Sequence, residues 1–255
     1  NLVYKNKSGN GTNDRFYNRV MFPIIDVRGN VIAFGGRIMT DQKPKYLNTS
    51  DTPVFSKSNN LFSLNNAKKN QDRTLILCEG YMDVIAVNQA GFQNAVATLG
   101  TALTSQQASV MKRYADDVII CYDADEAGQK ATQRAIGILR RTGLNIRVLT
   151  VPDGKDPDEF IRKHGDNGGA AFYNLVNGSF NDVEYQLSKV RKKYDLKLAD
   201  QRVKYVNEAI NIIAKIDDDV ERDVYSSKLA DETGVHTESI SNSLKRVRSK
   251  IKYSD

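Results

Sequence analysis

Leu75-Ile76-Leu77-Cys78-Glu79-Gly80-Tyr81-Met82-Asp83 and Ile119-Ile120-Cys121-Tyr122-Asp123-Ala124-Asp125-Glu126-Ala127-Gly128 share one grammar. Each is an apolar run of strand length that ends in a carboxylate and then a turn. Continuous apolar runs suit strands buried on both faces of a parallel sheet. In open parallel sheets the chemistry gathers beyond the carboxyl ends of the strands. Two such ends delivering Glu79, Asp123 and Asp125 to one edge would make a cluster of like charges. Asp123 and Asp125, two residues apart in extended chain, point to one face about 7 Å apart. Like charges so close need protons or cations between them. Mg²⁺, a hard ion that prefers carboxylate oxygens and keeps waters and substrate phosphates in its shell, is the natural occupant. A plainer reading stands beside this one. Glu79 alone is a surface acid at a strand end, and Asp125 alone is a helix N-cap. Capping gives no reason for Asp123.

Outward from these runs, strands alternate with helices. Strands are predicted at 74–78, 94–98, 117–122 and 145–151, and helices near 81–90, 104–114, 126–141 and 157–164. Gly91 and Gly143 sit where helix C-caps are expected. The alternation predicts an α/β fold: a right-handed, mostly parallel sheet with helices on both faces. After the last strand, Asp156 and Pro157 read as N-cap and first helical residue, with Glu159 placed for a capping box. Asp153 and Asp158 add outer charge. Upstream, Arg19–Asp26 and Val31–Met39 flank Val27-Arg28-Gly29-Asn30, which predicts an antiparallel hairpin. Phe34-Gly35-Gly36-Arg37 ends its second strand; paired glycines admit a ligand to the backbone, and Arg37 suits a phosphate. A bulge with a surface arginine is the alternative. Lys43-Pro44-Lys45-Tyr46-Leu47-Asn48-Thr49 reads as an extended loop whose cations, aromatic ring and amide suit phosphate contact and stacking. Residues 1–14 read as a loop and Leu61–Lys69 as a short helix. After Gly178 no strand signal remains. Segments near 180–193, 199–215, 219–232 and 237–252 predict a helical bundle. The expected parts are a basic α/β subdomain at 1–70, a metal-binding subdomain at 71–178 and a helical subdomain at 179–255.

The chain has 255 residues, 40% hydrophobic and 27% charged, which fits a soluble protein with a real core. No apolar run approaches the roughly 20 residues of a bilayer span, and no signal-peptide core opens the chain. Both cysteines, Cys78 and Cys121, lie inside apolar runs and read as buried thiols in a reducing compartment. With two histidines beside them, no zinc finger is assembled at the usual spacings. Net charge is +6, unevenly spread. Residues 1–70 carry 11 Lys and Arg against 4 Asp and Glu, a balance of +7, whereas residues 71–179 carry 11 against 13. A basic surface just before an acidic cluster is what a polyanion-processing site needs, although a solvated basic face alone gives the same count.

The conjunction of these motifs resembles the Toprim domain, the metal-binding fold of bacterial primases, topoisomerases and some nucleases. The run from Asp14 to Ile24, Phe34–Arg37, Lys45–Asn48, Glu79–Val84 and Asp153–Asp158 resembles the RNA-polymerase domain of bacterial DnaG-type replicative primases. Val220–Tyr225 with Leu229-Ala230 is similar to that family's C-terminal subdomain. The resemblance covers roughly residues 14–235. It implies a metal-dependent nucleotidyltransferase that makes short RNA primers from NTPs on single-stranded DNA during DNA replication, with Mg²⁺ or Mn²⁺. By resemblance Glu79, Asp123 and Asp125 are catalytic metal ligands, and Asp83, Asp153 and Asp156 complete the acidic surround. Arg37, Lys45, Tyr46 and Asn48 hold the incoming NTP and template, and Arg15 and Arg19 contribute to a basic track. The implied partners are single-stranded DNA, NTPs and an RNA–DNA hybrid, for a cytoplasmic bacterial monomer without membrane contact. The chain is expected to be a fragment without the family's zinc-binding module, hence no zinc, and without its helicase-binding module. The alternatives are another Toprim DNA-processing enzyme, a topoisomerase or nuclease, and a non-catalytic nucleic-acid-binding module.

Overall fold

The computed structural model describes residues 2–6, 9–152 and 156–252. They form two compact units, Asn1–Ser179 and Phe180–Asp255.

The first unit opens with a hairpin where the sequence predicted a loop: β1 (Val3–Lys5) pairs antiparallel with β2 (Thr12–Asp14). Its residues are exposed, so no apolar alternation marked it. The predicted hairpin follows as β3 (Arg19–Ile25) and β4 (Val31–Ile38), antiparallel, with Gly29 at φ +95° in the turn. Tyr46–Asn48, expected in an extended loop, is β5, a third strand laid on β4 so that Tyr46 faces Arg37. Three residues without alternation carry too little pattern to read as a strand. The short helix α1 spans Leu64–Ala67.

Strand–helix alternation then holds. The elements are β6 (Thr74–Cys78), α2 (Tyr81–Gln89), β7 (Ala95–Ala97), α3 (Ser105–Tyr114), β8 (Asp117–Cys121), α4 (Glu126–Arg140), β9 (Asn145–Val148) and α5 (Pro157–Lys163). The strands are parallel in the order β9-β8-β6-β7, with β6 and β8 at the centre in register, Cys78 opposite Cys121. A further helix, α6 (Gly168–Asn177), has no counterpart in the sequence expectations.

The pleat explains the continuous apolar runs. Ile76, Cys78, Ile119 and Cys121 share one cluster with Val84 and Val87 of α2, Phe160 of α5 and Phe172 of α6. The alternate residues Leu75, Leu77, Val118 and Ile120 are equally buried and point to the opposite face. There α3 and α4 present buried Met111, Ala135, Ile136 and Leu139. Both thiols are fully buried and free. With both faces covered, the acids that follow β6 and β8 lie beyond the carboxyl ends of the central strands.

The second unit begins with β10 (Phe180–Asn181), two residues of strand where none was expected. The four predicted helices follow as α7 (Asp182–Arg191), α8 (Ala199–Ile213), α9 (Asp219–Thr233) and α10 (Thr237–Lys252). They close on their own core, with Tyr205, Ile210 and Ile213 against Leu229, Ile240 and Leu244.

Candidate active site

β6 and β8 end level with one another, so Glu79 and Asp123 emerge side by side. Glu79 Oε1 accepts the Asp123 backbone N–H at 3.1 Å, which ties the two strand ends together. Asp125 is the N-cap of α4, its Oδ1 accepting the Gly128 N–H at 2.8 Å. That helix end presses directly on the edge. A Cβ on Gly128 would lie 2.2 Å from Asp123 O and 2.8 Å from Glu79 Oε1, so only glycine fits there. Asp83, in the first turn of α2, accepts the Gly80 N–H through Oδ2 at 3.0 Å and is buried. Asp156 caps α5 through the Glu159 N–H at 2.7 Å, as its sequence context required. Asp158 pairs with Arg162 at 3.0 Å. Asp153 lies outside the described residues.

The acids feel one another. Burial, and then the charges of Asp156, Asp123 and Asp158, push the Asp83 carboxyl up to about 7. Burial also raises Glu79, against the Asp123 N–H that favours its ionised form, and Asp125 adds to the rise. The carboxylates are arrayed along the edge rather than gathered to a point. Among the described residues no group of three Asp, Glu, His or Cys stands close enough to hold an ion as a ready-made set. Glu79 and Asp125 each have one oxygen in the bonds above and a second oxygen outside them. Hard oxygen donors whose own charges oppose their ionisation fit a divalent cation, which would relieve that repulsion.

The basic face lies on β4 and β5. Arg37 and Tyr46 are cross-strand partners, and the Tyr46 ring has the Arg37 Cζ at 5.7 Å and the Lys45 Nζ at 5.9 Å from its centroid. Arg37 draws the Tyr46 phenol down and Asp83, Asp158 and Asp156 push it up, with burial the largest influence and also upward. Tyr46 therefore stands within the fields of the basic strand and the acidic edge at once.

Two of the sequence-predicted binding residues are engaged inside the protein. Asn48 accepts the Tyr81 hydroxyl at 2.8 Å and donates to Leu99 O at 2.8 Å. Arg19 donates to Pro44 O at 2.9 Å and Lys45 O at 3.3 Å, and so holds the backbone that carries Lys45. Arg15 donates to Ser50 Oγ at 3.0 Å, and its buried Nε has no partner. The paired glycines admit side chains of the protein itself. A Cβ on Gly35 would meet the Tyr81 ring at 2.7 Å, and one on Gly36 would meet Phe16 at 2.8 Å.

Tyr81 is the residue that the sequence reading passed over. It stacks on Phe22 at 5.2 Å, takes Phe62 edge-on at 4.6 Å and bonds Asn48. Two residues after Glu79, it joins the acidic strand end to the strand bearing Tyr46. The signal was an aromatic residue immediately after Glu79-Gly80, legible as a packing anchor.

Comparison with known proteins agrees along the chain. Residues 1–68 match the family described as DNA primase catalytic core, N-terminal domain, and residues 76–161 match Toprim-like. Residues 183–238 match the DnaB-helicase binding domain of primase, so a segment expected to lie outside this chain is matched within it. The DNA primase of Clostridium acetobutylicum is 48% identical over 240 residues, 94% of this chain and 39% of that protein. That of Halalkalibacterium halodurans is 38% identical over 98% of this chain and 42% of its own length. The chain thus spans about two fifths of the curated relatives it matches. Among solved structures, a DNA primase domain from Pseudomonas aeruginosa superposes with TM-score 0.78 at 35% identity, over 97% of this chain and 77% of that one. A DnaG primase catalytic domain bound to ssDNA gives 0.76 at 33%, over 93% of this chain and 75% of that one. Identity of 35% across 77% of a solved primase domain is kinship rather than a shared fold alone, and the chain belongs to the DnaG-type family of bacterial DNA primases.

Proposed function

We propose that the first unit is the nucleotidyl-transfer core of a primase. It reads single-stranded DNA and joins NTPs into short RNA primers for DNA replication. The observation that carries this reading is the position of Tyr46, with Arg37 and Lys45 at its ring and the ring of Tyr81, two residues after Glu79, 6.2 Å away. A triphosphate needs both neighbours: cations and a π-face for phosphate and base, and an acidic edge for its counter-ion.

In this reading Arg37 and Lys45 bind phosphates of the incoming NTP and template, and Tyr46 offers a stacking face. Arg19 acts through the Lys45 backbone, and Arg15 extends the basic track. Glu79, Asp123 and Asp125 hold Mg²⁺, or Mn²⁺ in its place, with Asp83, Asp153 and Asp156 as surrounding charge. Bound there, the ion would supply Lewis acidity and charge neutralisation for the triphosphate. The chain's own work is positioning, so no Ser, Cys or His nucleophile is required. The ssDNA-bound relative supports the template class, and the match of residues 183–238 supports the replicative helicase as a partner of the second unit. An RNA–DNA hybrid product, a monomeric state and the bacterial cytosol complete the reading.

The test supplies single-stranded DNA, labelled NTPs and Mn²⁺ to wild type and to Asp123→Asn. Template-dependent RNA from wild type, lost in the variant, is the expected result. Cleaved template without new RNA would turn the reading to a nuclease or topoisomerase. Undiminished divalent-ion binding by an Asp123→Asn/Asp125→Asn double variant in calorimetry would reduce the acids to helix caps.

A further inference from the structure

We propose that the second unit carries a phosphate-binding pocket between α9 and α10, independent of the site above. A cavity of about 550 Å³ there is lined by Leu244 and by the polar residues Arg222, Asp223, Ser241, Lys245, Arg248 and Ser249. The polar α10 members stand at positions i, i+4, i+7 and i+8, which is one helix face. A second face of α10 is apolar and packs into the core through Ile240, Leu244 and Val247.

Two guanidiniums meet at this cavity. Arg222 Nη1 donates to Ile216 O at 2.8 Å, and Arg248 Nη1 donates to the same oxygen at 2.7 Å. Arg222 also reaches Asp217 O and pairs with Asp219. Capping therefore accounts for Arg222 and for one nitrogen of Arg248, and leaves Lys245 over. Lys245 and Arg248 make no ion pair among the described residues, and the cavity lining holds one acid, Asp223. Cations near a helix C-terminus suit its dipole. That explains the end of α10 but not Lys245, which is near the middle of a sixteen-residue helix. Lys245 and Arg248, like charges at i and i+3, repel in an isolated helix. An anion in the cavity converts that repulsion into attraction. A guanidinium fork and an ammonium beside a hydroxyl suit a phosphate group, which takes two parallel N–H bonds from arginine. Ser249 Oγ already donates to Arg246 O at 2.8 Å, so Ser241 is the hydroxyl donor.

The ligand class is a phosphate group of a nucleic-acid strand, from the backbone or from a 5′-triphosphate end. The test measures binding of three short labelled strands to the whole chain across a salt series. They are RNA with a 5′-triphosphate, the same RNA with a 5′-hydroxyl, and single-stranded DNA. Lys245 is exposed, and Lys245→Ala preserves the Arg222 and Arg248 bonds. The variant is expected to flatten the log–log salt slope by about 1, the share of a single phosphate. Arg246→Ala, exposed on α10 but outside the cavity lining, is expected to leave the slope at its wild-type value. A change seen with the triphosphate strand alone assigns the 5′ end; an equal change on all three assigns the backbone. As a direct readout, inorganic phosphate is expected to shift the Arg248 side-chain N–H resonance, and Arg248→Lys to weaken that binding while the fold is kept. An unchanged slope in Lys245→Ala, or an equal change in Arg246→Ala, would overturn the pocket in favour of diffuse attraction.

Discussion

Tyr81 links the two sides of the candidate site through one hydroxyl and one ring. Its hydroxyl holds Asn48 at 2.8 Å, and Asn48 is in the same short strand as Tyr46. Tyr81→Phe keeps the stacking on Phe22 and the edge contact of Phe62 but leaves the Asn48 carbonyl without its donor. Thermal or denaturant unfolding is expected to show a loss of about 1–3 kcal/mol. If the bond aligns the strand proposed to bind nucleotide, KM for NTP rises more than kcat falls. An unchanged KM would make the bond purely structural. Gly128→Ala acts at the other side. Its new methyl meets the Asp123 carbonyl at 2.2 Å, backbone that cannot swing away. A cost of roughly 1–3 kcal/mol is expected from forced overpacking, together with weaker divalent-ion binding as the Glu79–Asp123 tie is pushed apart. Wild-type ion affinity in calorimetry would separate that tie from the proposed metal site.

Among elements, the N-terminus of α4 combines two roles that one substitution can part. Asp125 caps the helix through an oxygen, and asparagine caps equally well. Asp125→Asn is therefore expected to melt within a few tenths of a kcal/mol of wild type. In the same experiment it should lose most of the stabilisation that Mg²⁺ gives the parent chain. A melting loss without Mg²⁺ would show that the charge itself is needed at the helix end. The β3–β4 turn supplies a pH signature. Hydrogen bonds from Asn30, side chain first and then backbone, with the Arg28 N–H, hold Asp26 down at about 2 against an ordinary 3.8. A depressed folded value means that the contribution is complete above 3.8 and fades as pH falls through about 2. Amide resonances of Arg28 and Asn30 followed by NMR should move with a midpoint near 2, and a midpoint near 3.8 would discount the turn bonds.

At the scale of the whole molecule, each unit has its own apolar core. Cluster members from Val183 to Leu244 close the helical unit, and those from Ile76 to Phe172 lie within the sheet unit. Ile213→Ala removes a fully buried side chain from the helical core and is expected to cost about 2–5 kcal/mol there. Hydrogen exchange should then accelerate in α7 to α10 while β6 and β8 keep their protection. Matching acceleration in β6 and β8 would mean that the two cores unfold as one cooperative body.

The sequence by itself determined the parallel α/β order, because strands covered on both faces must read as unbroken apolar runs and their helices carry caps such as Asp125 and Asp156. It determined the acids at the strand ends for the same reason, since a carboxylate after a buried strand has only the open edge to occupy. It did not determine β1, β2 and β5, three-residue strands whose existence rests on pairing across the fold rather than on periodicity. Nor did it determine the work of Gly35, Gly128, Asn48 and Tyr81. Those residues act by contacts between segments far apart in the chain, with Gly35 admitting Tyr81 and Gly128 admitting the Asp123 carbonyl. Such contacts leave no trace in local spacing, and only the folded chain decides them.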